Sequence, residues 1–291
     1  MKKIALGTAQ FGMDYGISAQ NFQVNNSEVS DILDFANSNG INFLDTAPTY
    51  GDSEKVLGNV GVNNFNLITK TRHFPKDSLN HNDISDFVRD FNNSLSFLKQ
   101  KRIYGLLVHN AEDLLKPGSK KLFDQMRQLK KKGLVSKVGV SVYSSYQIHE
   151  IIKRFEVDII QVPINILDRR LIDNGTIEIL NIKGIEVHAR SIFLQGLLLM
   201  DKESLPKKFN KWNSLWDVWH QWLNDNKISA LEASIGFAMS LPEISKVLVG
   251  VNSMSQLKSI LNCANFQLPE LPESFYSDDL ELLNPVNWKN L

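Results

Sequence analysis

The feature that most constrains the fold of this chain is a regular alternation between short apolar runs and longer amphipathic runs. The short runs have the length and composition of buried strands, and the longer runs carry apolar residues at helical spacing. Residues 103–108 are apolar at nearly every position, as expected of a strand buried on both faces. The predicted strands cover residues 4–6, 41–45, 67–69, 103–108, 137–140, 159–162, 185–189 and 247–249, and the predicted helices cover residues 27–39, 53–57, 83–98, 120–132, 146–155, 172–182, 230–240 and 254–262.

Eight strand–helix units follow one another without a break in composition. Repeated units of this kind build a parallel sheet with helices outside it, and eight of them fit a closed barrel better than an open sheet. The sequence therefore predicts an α/β fold, a (β/α)8 TIM barrel, in a single domain over residues 1–291. Residues 195–227 form an insertion after the seventh strand, and residues 267–291, with three prolines, form an irregular C-terminal tail.

Charge and cysteine content argue against several classes of function. Lys plus Arg and Asp plus Glu each number 32, which argues against nucleic acid or an anionic membrane as the main partner. Cys263 is the only cysteine, so an internal disulfide or a cysteine-based zinc site cannot form, and we expect no metal. No run approaches the ~20 apolar residues of a membrane span. We therefore expect a cytoplasmic protein with a small-molecule substrate.

Polar residues stand where the predicted strands end. The chemistry of a (β/α)8 barrel lies at the carboxyl ends of its strands, so these residues should converge on one site. Tyr50 lies in the loop after the second strand, in the stretch that begins at Asp45. The residues at the strand ends are Gly7, Thr8, Asp45, Lys70, His109, Ser141, Gln161, Arg190 and Gly250.

Four of these side chains suit proton transfer to a substrate oxygen. A free phenol has a pKa of about 10, too high for a responsive donor near neutrality. We expect the Lys70 ammonium to lower the pKa of Tyr50 and Asp45 to keep Lys70 charged and in place. His109 can donate to a carbonyl oxygen and orient it. Together they predict a site that protonates an oxygen as the attached carbon is reduced.

Each residue also has a simpler interpretation. Asp45 could cap its loop, Lys70 could be a solvated strand end, and His109 could be a hydrogen-bonded core histidine. The order and strand positions of the whole set favour the catalytic interpretation.

These residues give the chain a resemblance to the aldo-keto reductases. The combination of Asp-x4-Tyr with a downstream Lys and His is specific, although each part is weak alone. The resemblance implies a (β/α)8 barrel and hydride transfer between NAD(P)H and a carbonyl. It implies Tyr50 as general acid, Lys70 as the residue that tunes the pKa of Tyr50, Asp45 as the partner of Lys70, and His109 as the substrate-orienting group. The matching stretches are residues 6–12, 43–51, 68–70, 107–109, 138–141 and 248–250, with Gln256 and Leu257.

The resemblance also implies a site for NADP or NAD. It places the nicotinamide over Ser141 and Gln161, whose side chains can hydrogen-bond a carboxamide. The chain departs from the family pattern in Val142, where Asn is usual, and in Arg190, where an aromatic usually stacks on the nicotinamide. A guanidinium plane can also stack on a ring, or Arg190 could reach a substrate hydroxyl or phosphate. The predicted cofactor-binding residues are Gly7, Thr8, Ser141, Gln161, Arg190, Gly250, Asn252, Ser253 and Gln256.

The start of the last predicted helix bears on the choice between NADP and NAD. Backbone N–H groups after Gly250 suit a phosphate because they lie at a helix N-terminus; an ordinary turn is the simpler interpretation. NADPH-preferring relatives commonly carry a basic residue near here, whereas this chain has Gln256, and the nearest cation is Lys258. Both cofactors therefore remain candidates.

The insertion after the seventh strand contains four tryptophans at helical spacing. Packing against the barrel is the favoured interpretation, and a lid or a subunit contact is the functional alternative. The four are Trp212, Trp216, Trp219 and Trp222.

Three functions compete. The leading one is an NAD(P)-dependent oxidoreductase acting on an aldehyde, a ketone or a sugar; polar strand ends with few aromatics near Tyr50 favour a hydroxylated substrate. The second is a Schiff-base lyase that uses Lys70 as nucleophile, against which the neighbouring Asp45 argues. The third is a barrel that binds a nicotinamide nucleotide without turnover, as a sensor or subunit.

Overall fold

The computed structural model describes residues 3–17 and 23–291, and its eight strands form a closed barrel. Neighbouring strands are parallel and follow chain order, and the barrel closes where Leu6 of the first strand pairs with Leu44 of the second and Val249 of the last. The strands are β1 (Ile4–Gly7), β2 (Phe43–Asp45), β3 (Asn66–Lys70), β4 (Ile103–Val108), β5 (Val135–Ser141), β6 (Ile159–Pro163), β7 (Glu186–Arg190) and β8 (Lys246–Gly250). The prediction of a (β/α)8 barrel is confirmed.

Helices connect the strands and cover the outside of the barrel. The helices are α1 (Ala9–Gly12), α2 (Asn26–Ser38), α3 (Ser53–Val60), α4 (His81–Phe97), α5 (Glu112–Leu115), α6 (Ser119–Lys131), α7 (Ser145–Arg154), α8 (Arg170–Asp173), α9 (Thr176–Ile182), α10 (Asn213–Asn226), α11 (Ala230–Ser240), α12 (Met254–Asn262) and α13 (Leu280–Leu283), with 3₁₀ segments at Leu194–Leu199, Lys202–Ser204, Lys207–Trp212 and Pro285–Asn290. No helix in the two described ranges is long and apolar enough to span a membrane.

The barrel interior has an apolar layer below a polar layer, because side chains on one face of a strand repeat every two residues. Phe43, Ile68 and Ile159 belong to a buried apolar cluster inside the barrel. Two positions further along the same strands come Asp45, Lys70 and Gln161, all of them buried. The same alternation of side chains that fills the apolar core therefore also directs the polar side chains at the strand ends into the barrel.

One predicted helix is broken into two. Residues 172–182 were expected to form a single helix, but α8 ends at Asp173 and α9 begins at Thr176. Gly175 between them has a φ of +72°, a left-handed conformation that ends a helix and that glycine adopts without steric cost. The apolar periodicity continues across the break and hides it.

The tryptophans of the insertion pack against the barrel and the tail, as favoured from the sequence. All four are buried. The Trp219 ring stacks on Phe275 of the tail at a centroid distance of 4.7 Å, and the Trp222 indole N–H donates to the Glu270 carbonyl at 2.9 Å. The insertion and the tail therefore pack together as one cap.

Candidate active site

Lys70 is the centre of a buried polar cluster at the end of β3. Its Nζ lies 2.6 Å from Asp45 Oδ2, 3.0 Å from the Thr46 carbonyl oxygen and 3.4 Å from Tyr50 Oη. The Lys70 and Asp45 side chains are only 1% and 6% exposed. A buried ion pair keeps a fixed geometry when its remaining donors and acceptors are satisfied, so this cluster holds the phenol in a defined place.

Gln161 completes the cluster from β6. Its Nε2 donates to Asp45 Oδ1 at 2.8 Å, so both Asp45 oxygens have donors. The resemblance assigned the Gln161 side chain to a cofactor carboxamide, but in this structure its amide N–H group is directed to Asp45.

The electrostatics of Tyr50 differ from the sequence-based expectation. Burial raises the pKa of Tyr50 well above its ordinary value, and the Asp45 carboxylate raises it further, while Arg190 opposes both. The net pKa shift of Tyr50 is therefore upward and not downward as predicted, because burial and the Asp45 carboxylate outweigh the cations around the phenol. Tyr50 is therefore a protonated phenol, the form that can donate.

His109 also contacts the phenol. Its ring meets the Tyr50 ring edge to face with a centroid distance of 5.8 Å, and its Nδ1 lies 3.2 Å from Thr49 Oγ1. Burial, with the nearby charges of Lys70, Arg190 and His73, lowers the pKa of His109 to about 3. The imidazole is therefore neutral near neutral pH and can orient a substrate oxygen without adding charge.

Arg190 and Ser141 meet at the ends of β7 and β5. The Arg190 Nε donates to Ser141 Oγ at 3.3 Å, and the guanidinium lies over the Tyr143 ring, 4.2 Å from its centroid. Ser141, expected to bind the cofactor carboxamide, therefore accepts a hydrogen bond from Arg190 in this structure. Tyr143 escaped the sequence analysis because it lies two residues beyond the strand end.

The predicted phosphate site at the start of α12 is filled by groups of the chain itself. The Asn252 N–H donates to Gln256 Oε1 at 2.8 Å, and the Gln256 N–H donates to Ser253 Oγ at 3.2 Å. The Met254 N–H donates to Glu28 Oε1 of α2 at 2.6 Å. A carboxylate that the sequence analysis did not identify therefore lies at this helix end, where a phosphate was expected.

Gly7, Thr8 and Gly250 shape the floor between these regions. The buried Thr8 hydroxyl donates to the Asp45 carbonyl oxygen at 3.1 Å and so ties the end of β1 to the end of β2. A Cβ at Gly250 would lie 2.4 Å from Gln10 Nε2, so only a glycine lets Gln10 pack over the end of β8.

A cavity of about 1010 Å³ runs from the phenol to α12. It is at the upper end of the ~300–1,000 Å³ of small-molecule sites, so it has room for a dinucleotide beside a substrate. Tyr15, Tyr143 and Phe193 line it, so the expectation of few aromatics near Tyr50 is wrong; these side chains come from loops rather than from strand ends. Of the predicted site residues, Gly7, Thr8, Asp45, Tyr50, His109, Ser141, Gln161, Arg190, Gly250, Asn252 and Gln256 line the cavity, together with His220, Leu223 and Asn224 of the insertion.

The polar groups of the cavity fit a nicotinamide dinucleotide. Hydroxyl, amide and phenol groups lie at the barrel end, and Asn252, Ser255 and Gln256 lie at the α12 end. By contrast, no group of three or more His, Cys, Asp or Glu residues suited to a metal ion occurs within residues 3–17 and 23–291.

The family model of the aldo/keto reductase family matches residues 3–271. The chain is 24% identical over 286 residues to the uncharacterized oxidoreductase YqkF of Bacillus subtilis, covering 91% of this chain and 92% of that protein. It is 30% identical over 124 residues, 40% of this chain and 36% of that protein, to D-arabinose 1-dehydrogenase of Saccharomyces cerevisiae.

Solved structures show the same fold. The aldo-keto reductase AKR11C1 from Bacillus halodurans, in its holo form, superposes with a TM-score of 0.72 at 20% identity over 92% of this chain and 88% of that one. The putative aldo-keto reductase PA4992 from Pseudomonas aeruginosa superposes with a TM-score of 0.67 at 22% identity over 90% of this chain and 89% of that one. Because the family model covers nearly the whole chain, the resemblance seen in the sequence is confirmed: this chain belongs to the aldo/keto reductase family of oxidoreductases.

Proposed function

We propose that this chain reduces an aldehyde, a ketone or a sugar with NADH or NADPH, or oxidises the corresponding alcohol, with Tyr50 as general acid and base. The observation that carries the proposal is the 3.4 Å distance between Tyr50 Oη, whose residue lines the cavity, and the buried Lys70 Nζ. The bound nicotinamide would supply the hydride, since proteins contribute binding, orientation and electrostatics to such chemistry.

The direction of the Tyr50 pKa shift is compatible with this role. A general acid must carry its proton when the substrate arrives, and burial keeps Tyr50 protonated. When the proton leaves, the phenolate forms beside a lysine ammonium, and a charge fixed in a buried site stabilises such a developing anion strongly. Lys70 therefore favours the phenolate as it forms, although burial and Asp45 keep the pKa of Tyr50 above its ordinary value.

His109 and the cavity wall support the same reaction. A neutral imidazole edge to face with Tyr50 can hydrogen-bond the carbonyl oxygen that receives the proton. The aromatic lining suits aldehydes, ketones and the apolar faces of sugars. The similarity to D-arabinose 1-dehydrogenase keeps sugars among the candidate substrates.

The geometry argues against the Schiff-base lyase. Lys70 donates to Asp45, Thr46 and Tyr50, and its side chain is 1% exposed. A nucleophilic amine needs a free lone pair and access to the carbonyl carbon. The Asp45 carboxylate favours the charged form of Lys70 and opposes the lowering of its pKa by burial.

Nucleotide binding and turnover test the proposal separately. Titration with NADH and NADPH should give saturable binding. Tryptophan fluorescence can report it, because the insertion that carries the tryptophans lines the cavity. A panel of aldehydes and aldoses should then oxidise the bound cofactor, followed by nicotinamide absorbance. Binding without turnover on any of them would favour a sensor or subunit, and absence of binding would overturn the proposal.

A further inference from the structure

Arg190 is a cation without a carboxylate partner. Its guanidinium donates to three neutral oxygens: Ser141 Oγ at 3.3 Å, Ser191 Oγ at 3.3 Å and the Val142 carbonyl at 3.0 Å. No Asp or Glu oxygen from residues 3–17 or 23–291 comes within 4.0 Å of it. A guanidinium has five N–H donors, so these three bonds leave donors to spare.

The other charges in comparable positions are compensated. Lys70 is paired with Asp45 at 2.6 Å. Arg170, half-buried like Arg190, makes a bidentate pair with Asp168 through bonds of 2.8 Å. Burying a charge costs free energy unless an opposite charge accompanies it. Arg190 therefore lacks the opposite charge that Lys70 and Arg170 have, and an anionic ligand bound in the cavity would supply it.

The position of Arg190 brings it close to the reacting atoms. It lines the cavity together with Tyr50 and His109, and its charge reaches both, since it opposes the raised pKa of Tyr50 and helps lower that of His109. Asp201, an exposed carboxylate that also lines the cavity, lies beyond ion-pair distance of Arg190.

We propose that Arg190 binds an anionic group of the substrate, a carboxylate or a phosphate, so that the preferred substrates are acidic aldehydes or ketones. This inference rests on the proposed reductase function. The planar guanidinium presents paired N–H groups that match the oxygens of carboxylate and phosphate. The Tyr143 ring covers one face of the Arg190 guanidinium and fixes its plane. The guanidinium N–H donors that have no partner are then available to hydrogen-bond the ligand.

Matched aldehydes that differ in charge test this proposal. The wild-type protein should have a higher kcat/KM for 4-carboxybenzaldehyde than for 4-isopropylbenzaldehyde, and for glyceraldehyde 3-phosphate than for glyceraldehyde; the two pairs distinguish carboxylate from phosphate. Arg190→Gln should lose about 10- to 100-fold in kcat/KM for the preferred anionic substrate, mostly through KM, as for a charged hydrogen bond of about 1.5–3 kcal/mol. The neutral aldehydes should lose at least about tenfold less than the anionic ones, and Arg190→Lys should recover part of the loss for the anionic substrate.

Nucleotide affinity and a control variant complete the kinetic test. The loss in kcat/KM of Arg190→Gln for the anionic aldehyde should exceed its loss in affinity for NADH and NADPH. An equal loss for anionic and neutral aldehydes, or a loss of nucleotide affinity as large as the loss for the anionic aldehyde, would overturn the proposal and assign Arg190 to the cofactor. Arg154→Gln, which changes an exposed arginine paired with Glu150, is the control.

A binding measurement keeps this proposal separate from the reductase function. Calorimetry with 4-(hydroxymethyl)benzoate in the presence of the oxidised nucleotide needs no turnover. Binding to the wild type and not to Arg190→Gln supports the anion site even if no aldehyde is reduced. Turnover of neutral aldehydes without any preference for anionic ones would leave the reductase function standing and overturn the anion site.

Discussion

At the scale of single residues, the buried pair of Lys70 and Asp45 has both a structural and a chemical role. Burial lowers the pKa of Lys70, and the charge and hydrogen bond of Asp45 oppose that shift. Each member compensates a charge that would otherwise be costly in this interior. The pair that positions Tyr50 is therefore also a determinant of stability.

We predict that Lys70→Met lowers the free energy of unfolding by about 3–5 kcal/mol, because it leaves the Asp45 carboxylate buried and unpaired. Urea unfolding followed by tryptophan fluorescence measures this change. Adding Asp45→Asn should recover part of the loss. Lys55→Met, which removes a surface pair with Asp52, should cost less than about 1 kcal/mol. Equal losses for the two lysine variants would contradict this account.

We predict that His109 stays neutral from pH 8 to pH 5. Burial, with the nearby charges of Lys70, Arg190 and His73, lowers its pKa to about 3, so its change of charge lies below that range. In an NMR titration, the ring signals that disappear in His109→Gln should not move between these pH values. Ring signals that shift with a midpoint near pH 6.5 would show that His109 titrates as an ordinary histidine and would contradict the prediction.

The sequence predicted which residues lie at the strand ends, but it did not predict the burial and the close contacts of their side chains. Asp45, Lys70 and His109 follow buried runs, and this pattern places them in the barrel mouth. The pKa shift of Tyr50 depends on burial and on the close contact between Asp45 and Lys70, which the sequence does not give. Tyr143 was missed because it belongs to a loop.

At the scale of elements, α2 and α12 meet at the end of the cavity away from Tyr50. Glu28 of α2 accepts from the Met254 N–H at the first turn of α12. The positive end of the dipole of α12 stabilises the negative charge of this carboxylate. Relatives that prefer NADPH commonly have a basic residue in this region, so this chain presents the opposite charge there.

We predict that the chain binds NADH at least about tenfold more tightly than NADPH, which corresponds to about 1.4 kcal/mol of repulsion between Glu28 and a 2′-phosphate. Fluorescence titration with both nucleotides measures the ratio. Glu28→Gln should reduce the ratio of the two affinities, mainly by increasing the affinity for NADPH. Asp31→Asn, an exposed change on the same helix, should leave it unchanged. Tighter binding of NADPH to the wild type would contradict the prediction.

Elements with a strong apolar period were predicted well, and elements defined by turns were not. The 83–98 helix corresponds closely to α4 (His81–Phe97). The break between α8 and α9 was missed because one left-handed glycine decides it. The 3₁₀ segments of the insertion have no apolar period of their own, and one of them packs on the tail through the contact between Phe209 and Trp288.

At the scale of the whole molecule, a second polar cluster lies at the opposite end of the barrel from the site. Glu186, at the start of β7, accepts from Lys137 Nζ at 2.6 Å and from the Tyr104 hydroxyl at 2.8 Å, and His188 Nε2 lies 3.4 Å from it. Burial pulls the pKa of Glu186 upward, but His188, Lys137 and Tyr104 outweigh it and hold the pKa at about 2. This cluster links β4, β5 and β7.

We predict that this cluster makes the barrel sensitive to acid. In the unfolded chain Glu186 takes up a proton near its ordinary pKa of 4.5, whereas the folded protein resists protonation down to about 2. The unfolded state therefore binds more protons in that window, and stability falls as the pH falls through it. Urea midpoints measured from pH 6 to pH 3 should fall less steeply for Glu186→Gln than for the wild type. The exposed control Glu178→Gln should keep the wild-type slope. Parallel curves for wild type and Glu186→Gln would contradict the prediction.

The barrel as a whole was the most predictable feature, because eight repeated strand–helix units leave few alternatives. Closure between β1 and β8 and the order of the strands follow from that repetition. The cap formed by the insertion and the tail depends on contacts such as that between Trp219 and Phe275, which join distant parts of the chain.

We propose that Tyr50, held beside Lys70, transfers the proton in a nicotinamide-dependent reduction. The decisive experiment is turnover of the best carbonyl substrate by Tyr50→Phe, measured together with the affinity of the variant for the nucleotide. We expect unchanged nucleotide binding and a loss of about 10²- to 10⁴-fold in kcat, the range for a positioned general acid. Turnover at the wild-type rate by a correctly folded Tyr50→Phe would contradict it.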